Sequence, residues 1–160
     1  MLRNMFRTDS SQATVIIRLT VGIVFLSEGI QKFLSPLTLG VGRFMKMGFP
    51  DPDFWGSFVG VFEIISGSLL LIGFITRGAA LAMLVNMTIA IIVTKIPIAF
   101  GESFGPFVLR DLKSYGFWPM MHEIRTDFAM WMGSLFLLIQ GGGAWSLDRK
   151  ANGTCAKKMS

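Results

Sequence analysis

The stretch RLTVGIVFLSEGIQK at residues 18–32 decides the fold. It lies in an apolar segment from about residue 14 to residue 34, which is long enough to cross a bilayer as a helix. On a helical wheel, Arg18, Glu28 and Lys32 fall on one face together with two glycines, within an arc of about 120°. An ionised side chain that faces lipid costs several kcal/mol, so this face must contact other helices, which the glycines allow to approach closely. The stretch therefore predicts a bundle of membrane-spanning helices with polar partners elsewhere in the chain.

The composition of the 160-residue chain also indicates an integral membrane protein. Hydrophobic residues make up 52% of the chain and charged residues 16%, whereas a soluble domain carries about 25% charged residues. The net charge of +5 comes from basic residues scattered between apolar segments. They form no basic domain or motif, which excludes nucleic acid as a partner. We expect them to anchor loops on anionic lipid, so the bilayer itself is the first partner of the chain.

The residue types that most often carry redox and metal chemistry are scarce. Cys155 is the only cysteine and His122 the only histidine. One cysteine permits neither an internal disulfide nor a thiol relay, and we expect Cys155 to be a solvated thiol in the C-terminal tail. One histidine cannot by itself build a His-rich metal or haem site. The sequence therefore predicts no metal site and no cofactor held by the chain alone.

Four apolar segments predict an all-α integral membrane protein, a four-helix transmembrane bundle. The spans are expected at about residues 14–34, 54–75, 78–96 and 122–143. A polar tail at residues 1–13 precedes the membrane domain at 14–149, and a basic tail at 150–160 follows it. We expect the first span to be retained rather than cleaved as a signal, because its uncharged core is short and no Ala-x-Ala site follows.

The distribution of basic residues predicts the orientation in the membrane. Four spans place both termini on one side, together with the short turn at Arg77. The termini and this turn are richer in Lys and Arg than the two long loops, residues 35–53 and 97–121. The positive-inside rule then places both termini in the cytoplasm and the two long loops outside. We therefore expect a multi-pass protein with cytoplasmic ends.

Ionisable side chains from three of the spans are predicted to meet inside the bundle. At a rise of about 1.5 Å per residue, they lie at similar depths in the half of the bundle that is farther from the termini. The candidate polar core site consists of Glu28, Lys32, Glu63 and Asp127. Arg18 lies nearer the termini, within reach of residues 145–149, and Asp148 is its candidate partner there.

The candidate core residues have a structural and a functional interpretation. Glu28 and Lys32 are four residues apart and can form an ion pair on one helix. Asp127 can pair with Arg125 or Lys32. Glu63 can accept hydrogen bonds from a neighbouring helix. Functionally, ionisable residues inside a membrane mark sites of binding or proton transfer by default, and the sequence leaves both interpretations open.

Short motifs along residues 14–149 carry a family resemblance. The motifs are Arg18-Leu19 with Gly22 and Phe25, Gly29-Ile30-Gln31-Lys32, Glu63 with Gly67, Leu70 and Gly73, Thr76-Arg77, and Trp145-Ser146-Leu147-Asp148. In this order and spacing they resemble the DoxX family of small bacterial membrane proteins. The resemblance implies a four-helix protein of the bacterial inner membrane. It carries no proven catalytic residue onto this chain.

The family is named for membrane subunits of quinone-linked sulfur oxidation, so the resemblance implies an oxidoreductase association. We expect an accessory subunit of a membrane oxidoreductase, with a quinone as the candidate ligand and the redox centre in a partner protein. Two alternatives stay open. One is a non-catalytic scaffold that binds a membrane or membrane-associated protein through its glycine faces and aromatic loop. The other is a small transporter that uses the buried carboxylates and needs a homo-oligomer to form a pore.

Overall fold

The computed structural model describes residues 11–151, and this part of the chain is built from helices. Four helices are long, namely α1 (Ala13–Leu34), α3 (Pro52–Ile72), α4 (Thr76–Thr94) and α6 (Phe117–Gln140). Two helices are short, namely α2 (Val41–Lys46) and α5 (Ile96–Phe100). This architecture confirms the predicted all-α class.

Three stretches of the described chain are long and apolar enough to cross a membrane. They are α1, α3 and the continuous stretch Thr76–Phe100, which α4 and α5 form together. The fourth predicted span corresponds to α6, whose 24 residues are sufficient in length. Its beginning is less apolar, because residues 122–127 include four ionisable side chains. The predicted all-α membrane class is thus confirmed with three candidate spans, and a membrane crossing by α6 stays a prediction.

The start of α3 depends on cap chemistry. The side chain of Asp51 accepts a hydrogen bond from the backbone N–H of Phe54 at 3.4 Å, and Pro52 occupies the first helical position. Proline fits there because the first N–H groups of a helix have no partner within the helix. Asp51 therefore caps the helix, and Asp53 adds a second acidic side chain in its first turn.

The long loop expected at residues 97–121 is shortened to residues 101–116 by helices at both of its ends. Its beginning lies in α5, and its last five residues, from Phe117, form the start of α6. Pro119 falls in the first turn of α6, where a proline is tolerated. Three aromatic residues of this segment are therefore helical, with Phe100 in α5 and Phe117 and Trp118 in α6. At its other end α6 stops at Gln140, because Gly141 adopts a φ of +83°.

Glycines determine which helices pack most closely. α1 packs mainly on α3, and α4 packs mainly on α6. A Cβ atom at Gly29 would lie 2.7 Å from the backbone oxygen of Gly60, and one at Gly67 would lie 2.6 Å from the backbone nitrogen of Leu26. No side chain fits at such distances from backbone atoms. The glycine faces predicted from the sequence are therefore the interface between α1 and α3.

The buried apolar core lies where the four long helices meet. It consists of Val21, Phe25, Leu70, Ala79, Ala80, Met83, Met87, Met130 and Leu137. A tight turn joins α3 to α4, with positive φ at Gly73 (+67°) and Ile75 (+48°). The bundle has two ends. The terminal end holds this turn and residues 141–151, and the loop end holds α2, α5 and the segment 101–116.

Candidate functional site

The polar core is centred on an ion pair between Lys32 and Glu63. The Lys32 Nζ donates a hydrogen bond to Glu63 Oε2 across the interface of α1 and α3. Only 8% and 6% of these two side chains are exposed. Gly60 lies at the same interface and leaves room for the neighbouring Phe33, because a Cβ there would lie 2.8 Å from the phenylalanine ring. Asn86 of α4 donates to the other Glu63 oxygen at 3.3 Å, so two helices hold this carboxylate.

Asp127 pairs with Lys95, a residue that sequence analysis did not assign to the site. The Lys95 Nζ lies 3.0 Å from Asp127 Oδ2, and the lysine is buried at the end of α4. Neither of the partners considered from the sequence, Arg125 and Lys32, pairs with Asp127. Lys32 binds Glu63, and Arg125 lies beside His122, with 3.1 Å between the guanidinium and the imidazole Nδ1. The packing of α4 on α6 explains the choice of Lys95.

Glu28 lies one helical turn before Lys32 but does not pair with it. Within residues 11–151 its carboxylate forms no ion pair, because the lysine is turned across the interface to Glu63. Its side chain is exposed. The local pair expected from the spacing of these two residues on α1 is therefore replaced by a pair between helices.

One cavity of about 740 Å³ connects these residues. All four predicted core residues line it, together with Asn86 and Lys95. Its walls are rich in aromatic side chains, namely Phe25, Phe44, Phe49, Trp55, Phe58 and Phe62. At the loop end, the lining includes Arg43 and an ion pair between Arg110 and Glu123 at 2.8 Å. The structure thus brings the predicted residues around one space, although not into one ion-pair network.

A second cluster of buried polar residues lies at the terminal end, around Arg18. The Arg18 guanidinium donates to the backbone oxygens of Gly142 (2.7 Å) and Trp145 (3.4 Å). Only 3% of the arginine is exposed. It thereby connects the first turns of α1 to the segment that follows α6.

Asp148 holds the start of α4 in the same cluster. Its carboxylate accepts hydrogen bonds from the backbone N–H groups of Ile75 (2.7 Å) and Thr76 (2.9 Å). A carboxylate is favourable at a helix N-terminus, because it satisfies free N–H groups and complements the helix dipole. Arg18 and Asp148 therefore belong to one cluster, which we call the terminal clasp (Arg18, Thr76, Gly142 and Asp148). Each binds backbone groups, and this corrects the direct pair expected from the sequence.

Comparison with known proteins identifies the family. The sequence profile of the DoxX family matches residues 13–96, more than half of the chain, and this range contains Lys32, Glu63 and Asn86. The chain belongs to the DoxX family. An uncharacterized membrane protein of Mycobacterium tuberculosis is 44% identical over 146 residues, which cover 91% of this chain and 85% of that protein. No solved structure matches the chain.

Two further residues, Asn86 and Lys95, complete the site of this DoxX protein. Asn86 is the one strongly polar residue within an otherwise apolar span, and this is a signal that sequence alone provides. Lys95 follows the last residue of α4 and resembles an ordinary anchor at the end of a span. Its burial results from the way α4, α5 and α6 pack, which the local sequence does not reveal.

The residue types that bind metals or carry thiol chemistry add no further site to the described part of the chain. Within residues 11–151, no group of three or more His, Cys, Asp or Glu side chains could hold a metal ion. His122 is exposed on α6. Cys155 and most of the basic tail lie outside the described residues, as do residues 1–10 of the N-terminal tail.

Proposed function

We propose that this DoxX protein is an accessory subunit of a membrane-associated oxidoreductase system and that its cavity binds a quinone. The observation that carries the proposal is the buried pair of Lys32 and Glu63 in the wall of a 740 Å³ cavity. Burying two charges in a bundle is costly, and packing alone is served as well by apolar residues. A charged pair that lies beside open space therefore favours ligand binding.

The lining fits a quinone in size and in chemistry. A volume of about 740 Å³ falls in the range of small-molecule sites. The Lys32 ammonium and the Asn86 amide are donors suited to quinone oxygens, and aromatic walls suit a flat ring. When bound, a quinone supplies two-electron redox chemistry that is coupled to protons.

In this proposal the carboxylates of Glu28 and Glu63 handle the protons. Glu63 is held in place by Lys32 and Asn86. Glu28 lines the cavity and is exposed, so its oxygens can take up or release a proton there. The electrons come from a partner protein, and it is in this sense that the DoxX protein is an accessory subunit.

The test of quinone binding uses Glu63→Gln, because this change keeps the size of the side chain but removes its charge. Purified in mild detergent, the variant should bind a short-chain quinone at least about tenfold more weakly than the parent protein in equilibrium dialysis. The matched control is Glu102→Gln, the same chemical change at an exposed residue of the segment 101–116 that does not line the cavity. It should bind like the parent.

The same preparation tests the accessory role. Native protein solubilised gently from membranes should co-purify with a redox enzyme. If folded Glu63→Gln binds quinone fully and complements a deletion strain, Glu63 is structural. If the parent binds no quinone but retains a protein partner, the scaffold interpretation replaces the present proposal.

We further propose that the protein resides in the bacterial inner membrane with both termini in the cytoplasm, on the basis of its charge distribution. The terminal clasp then faces the cytoplasm and the loop end faces outward. In a chain without Cys155, single cysteines introduced at Met47 and Ser103 should react with an impermeant reagent in intact cells. Protection of both, with labelling near Arg77, would contradict this orientation.

A further inference from the structure

The cavity is open along one side, between α3 and α4. Several side chains that line it from these helices are themselves about half exposed, with exposed fractions of 48% for Phe58, 49% for Leu81, 51% for Val85 and 52% for Ile89. The three residues of α4 are four positions apart and therefore share one face. All four lie within apolar spans, so the opening is at the depth of the hydrocarbon. We call this opening the α3–α4 groove.

The packing of the bundle explains why the groove exists. α3 and α4 follow each other through a tight turn at the terminal end, yet α3 packs mainly on α1 and α4 mainly on α6. The two helices contact each other less than either contacts its main partner. Asn86 reaches across to Glu63 and marks the polar floor of the groove.

The charges of the lining favour a neutral ligand. Four lysine or arginine side chains and four carboxylates line the cavity, so its formal charge is zero. Six of these eight groups form three ion pairs, and the other two are Arg43 and Glu28, one of each sign. An anionic head group would therefore find no surplus of positive charge.

From the open groove and the balanced charges, we infer that the ligand is a neutral amphiphile that enters from the bilayer between α3 and α4. Its hydrogen-bonding head lies against Lys32, Glu63 and Asn86, and its apolar tail lies in the α3–α4 groove. This inference rests on the proposed quinone binding and specifies the class of quinone, one with a long tail, and its route. A ligand arriving from water would need neither the tail nor the groove.

The test narrows the groove without touching the polar residues. Val85→Trp places a large side chain in the groove, and Val61→Trp is the matched control, because Val61 is 47% exposed on α3 but does not line the cavity. Two quinones with the same ring are compared, one with an isoprenoid tail and one without. For each quinone, the affinity of a variant is compared with the affinity of the parent protein. The difference between the two quinones in partitioning into detergent therefore cancels.

We expect Val85→Trp to weaken binding of the tailed quinone at least about tenfold and binding of the tailless quinone less than about twofold. Val61→Trp should change neither. If Val85→Trp fails to fold, Leu81→Trp, which lies one turn away on the same face, is tested in its place with the same expected result.

The contrary outcomes are distinct. If both quinones bind the parent and the groove variants leave tailed binding unchanged, or weaken both quinones equally, the lateral route is wrong while quinone binding stands. If neither quinone binds the parent, the proposed function fails and this inference fails with it. An anionic phospholipid retained by the parent and lost from Val85→Trp, as seen by native mass spectrometry, would overturn the neutral head group.

Discussion

The terminal clasp and the cavity both bury charged side chains, but they do so in different surroundings. In the clasp, Arg18 and Asp148 bind backbone groups at helix ends, and the packing is so tight that a Cβ at Gly73 would overlap the arginine. In the cavity, Lys32 and Glu63 bind each other beside an open space of about 740 Å³.

The difference separates two uses of a buried charge. Charges that are hydrogen-bonded to backbone groups at helix ends fix the positions of chain segments, and the tight packing around them leaves no open space for a ligand. A pair in the wall of a cavity leaves hydrogen-bond donors and acceptors facing the open space, where a ligand can bind them. Substitutions in the clasp should therefore reduce stability, whereas in the cavity binding and stability should be separable.

The largest effect is expected for Asp148→Ala. It removes a carboxylate that accepts two backbone N–H groups at the start of α4 and leaves both without a partner. Two charge-assisted hydrogen bonds correspond to a loss of about 4 kcal/mol in the free energy of unfolding, which thermal unfolding in detergent can detect. Asp111→Ala, at an exposed aspartate, is the control and should have little effect. Equal melting temperatures for the two variants would contradict a structural role for the clasp.

Lys32→Met should be the next most damaging change, because it leaves Glu63 buried without its ion-pair partner. We expect a loss of about 3 kcal/mol in unfolding free energy. The double variant Lys32→Met with Glu63→Leu should recover most of this stability and still fail to bind a quinone. Unfolding and quinone binding are measured on the single and the double variant. A double variant as unstable as the single one would show that the pair is needed for folding.

A moderate effect is expected for Asp127→Asn. Asp127 pairs with Lys95, and its side chain is less buried than that of Glu63. The exposed fractions of the two acidic side chains are 21% and 6%. The asparagine keeps a hydrogen bond to the lysine, so we expect a loss of about 1 kcal/mol in unfolding free energy. Thermal unfolding of Asp127→Asn and of Lys32→Met, measured under the same conditions, gives the ratio of the two losses in unfolding free energy. A loss as large as that of Lys32→Met would mean that side-chain exposure does not predict how much each pair contributes to stability.

The helices and the location of the site could be predicted from the sequence, because both depend on local patterns. Apolar length predicts the spans, and glycines on one face predict close contact, as at Gly29 and Gly67. The depth of Lys32 and Glu63 follows from the rise per residue, and this sufficed to predict that both lie in the same half of the bundle core.

The pairing of charges could not be predicted, because it depends on side-chain space and loop conformation. Lys32 had acids within reach on its own helix and across the interface, and in the structure it pairs across the interface with Glu63. The partners of Arg18 are backbone oxygens of Gly142 and Trp145. They are in place because the segment adopts unusual angles, including a φ of +55° at Trp145. No local sequence pattern specifies such a conformation.

The smallest effect is expected for Arg110→Gln, which breaks the outermost of the three cavity pairs. The Arg110 side chain is 63% exposed and its partner Glu123 is 25% exposed, so water already screens their attraction. Exposed pairs contribute less than about 1 kcal/mol, and at 1 M salt the screening length falls to about 3 Å. The small loss of thermal stability should therefore disappear in high salt. The loss for Lys32→Met should persist there, because ions do not reach a buried pair. If high salt abolished both losses, the Lys32–Glu63 pair would be open to water, and the contrast between a buried polar floor and an exposed rim of the cavity would not hold.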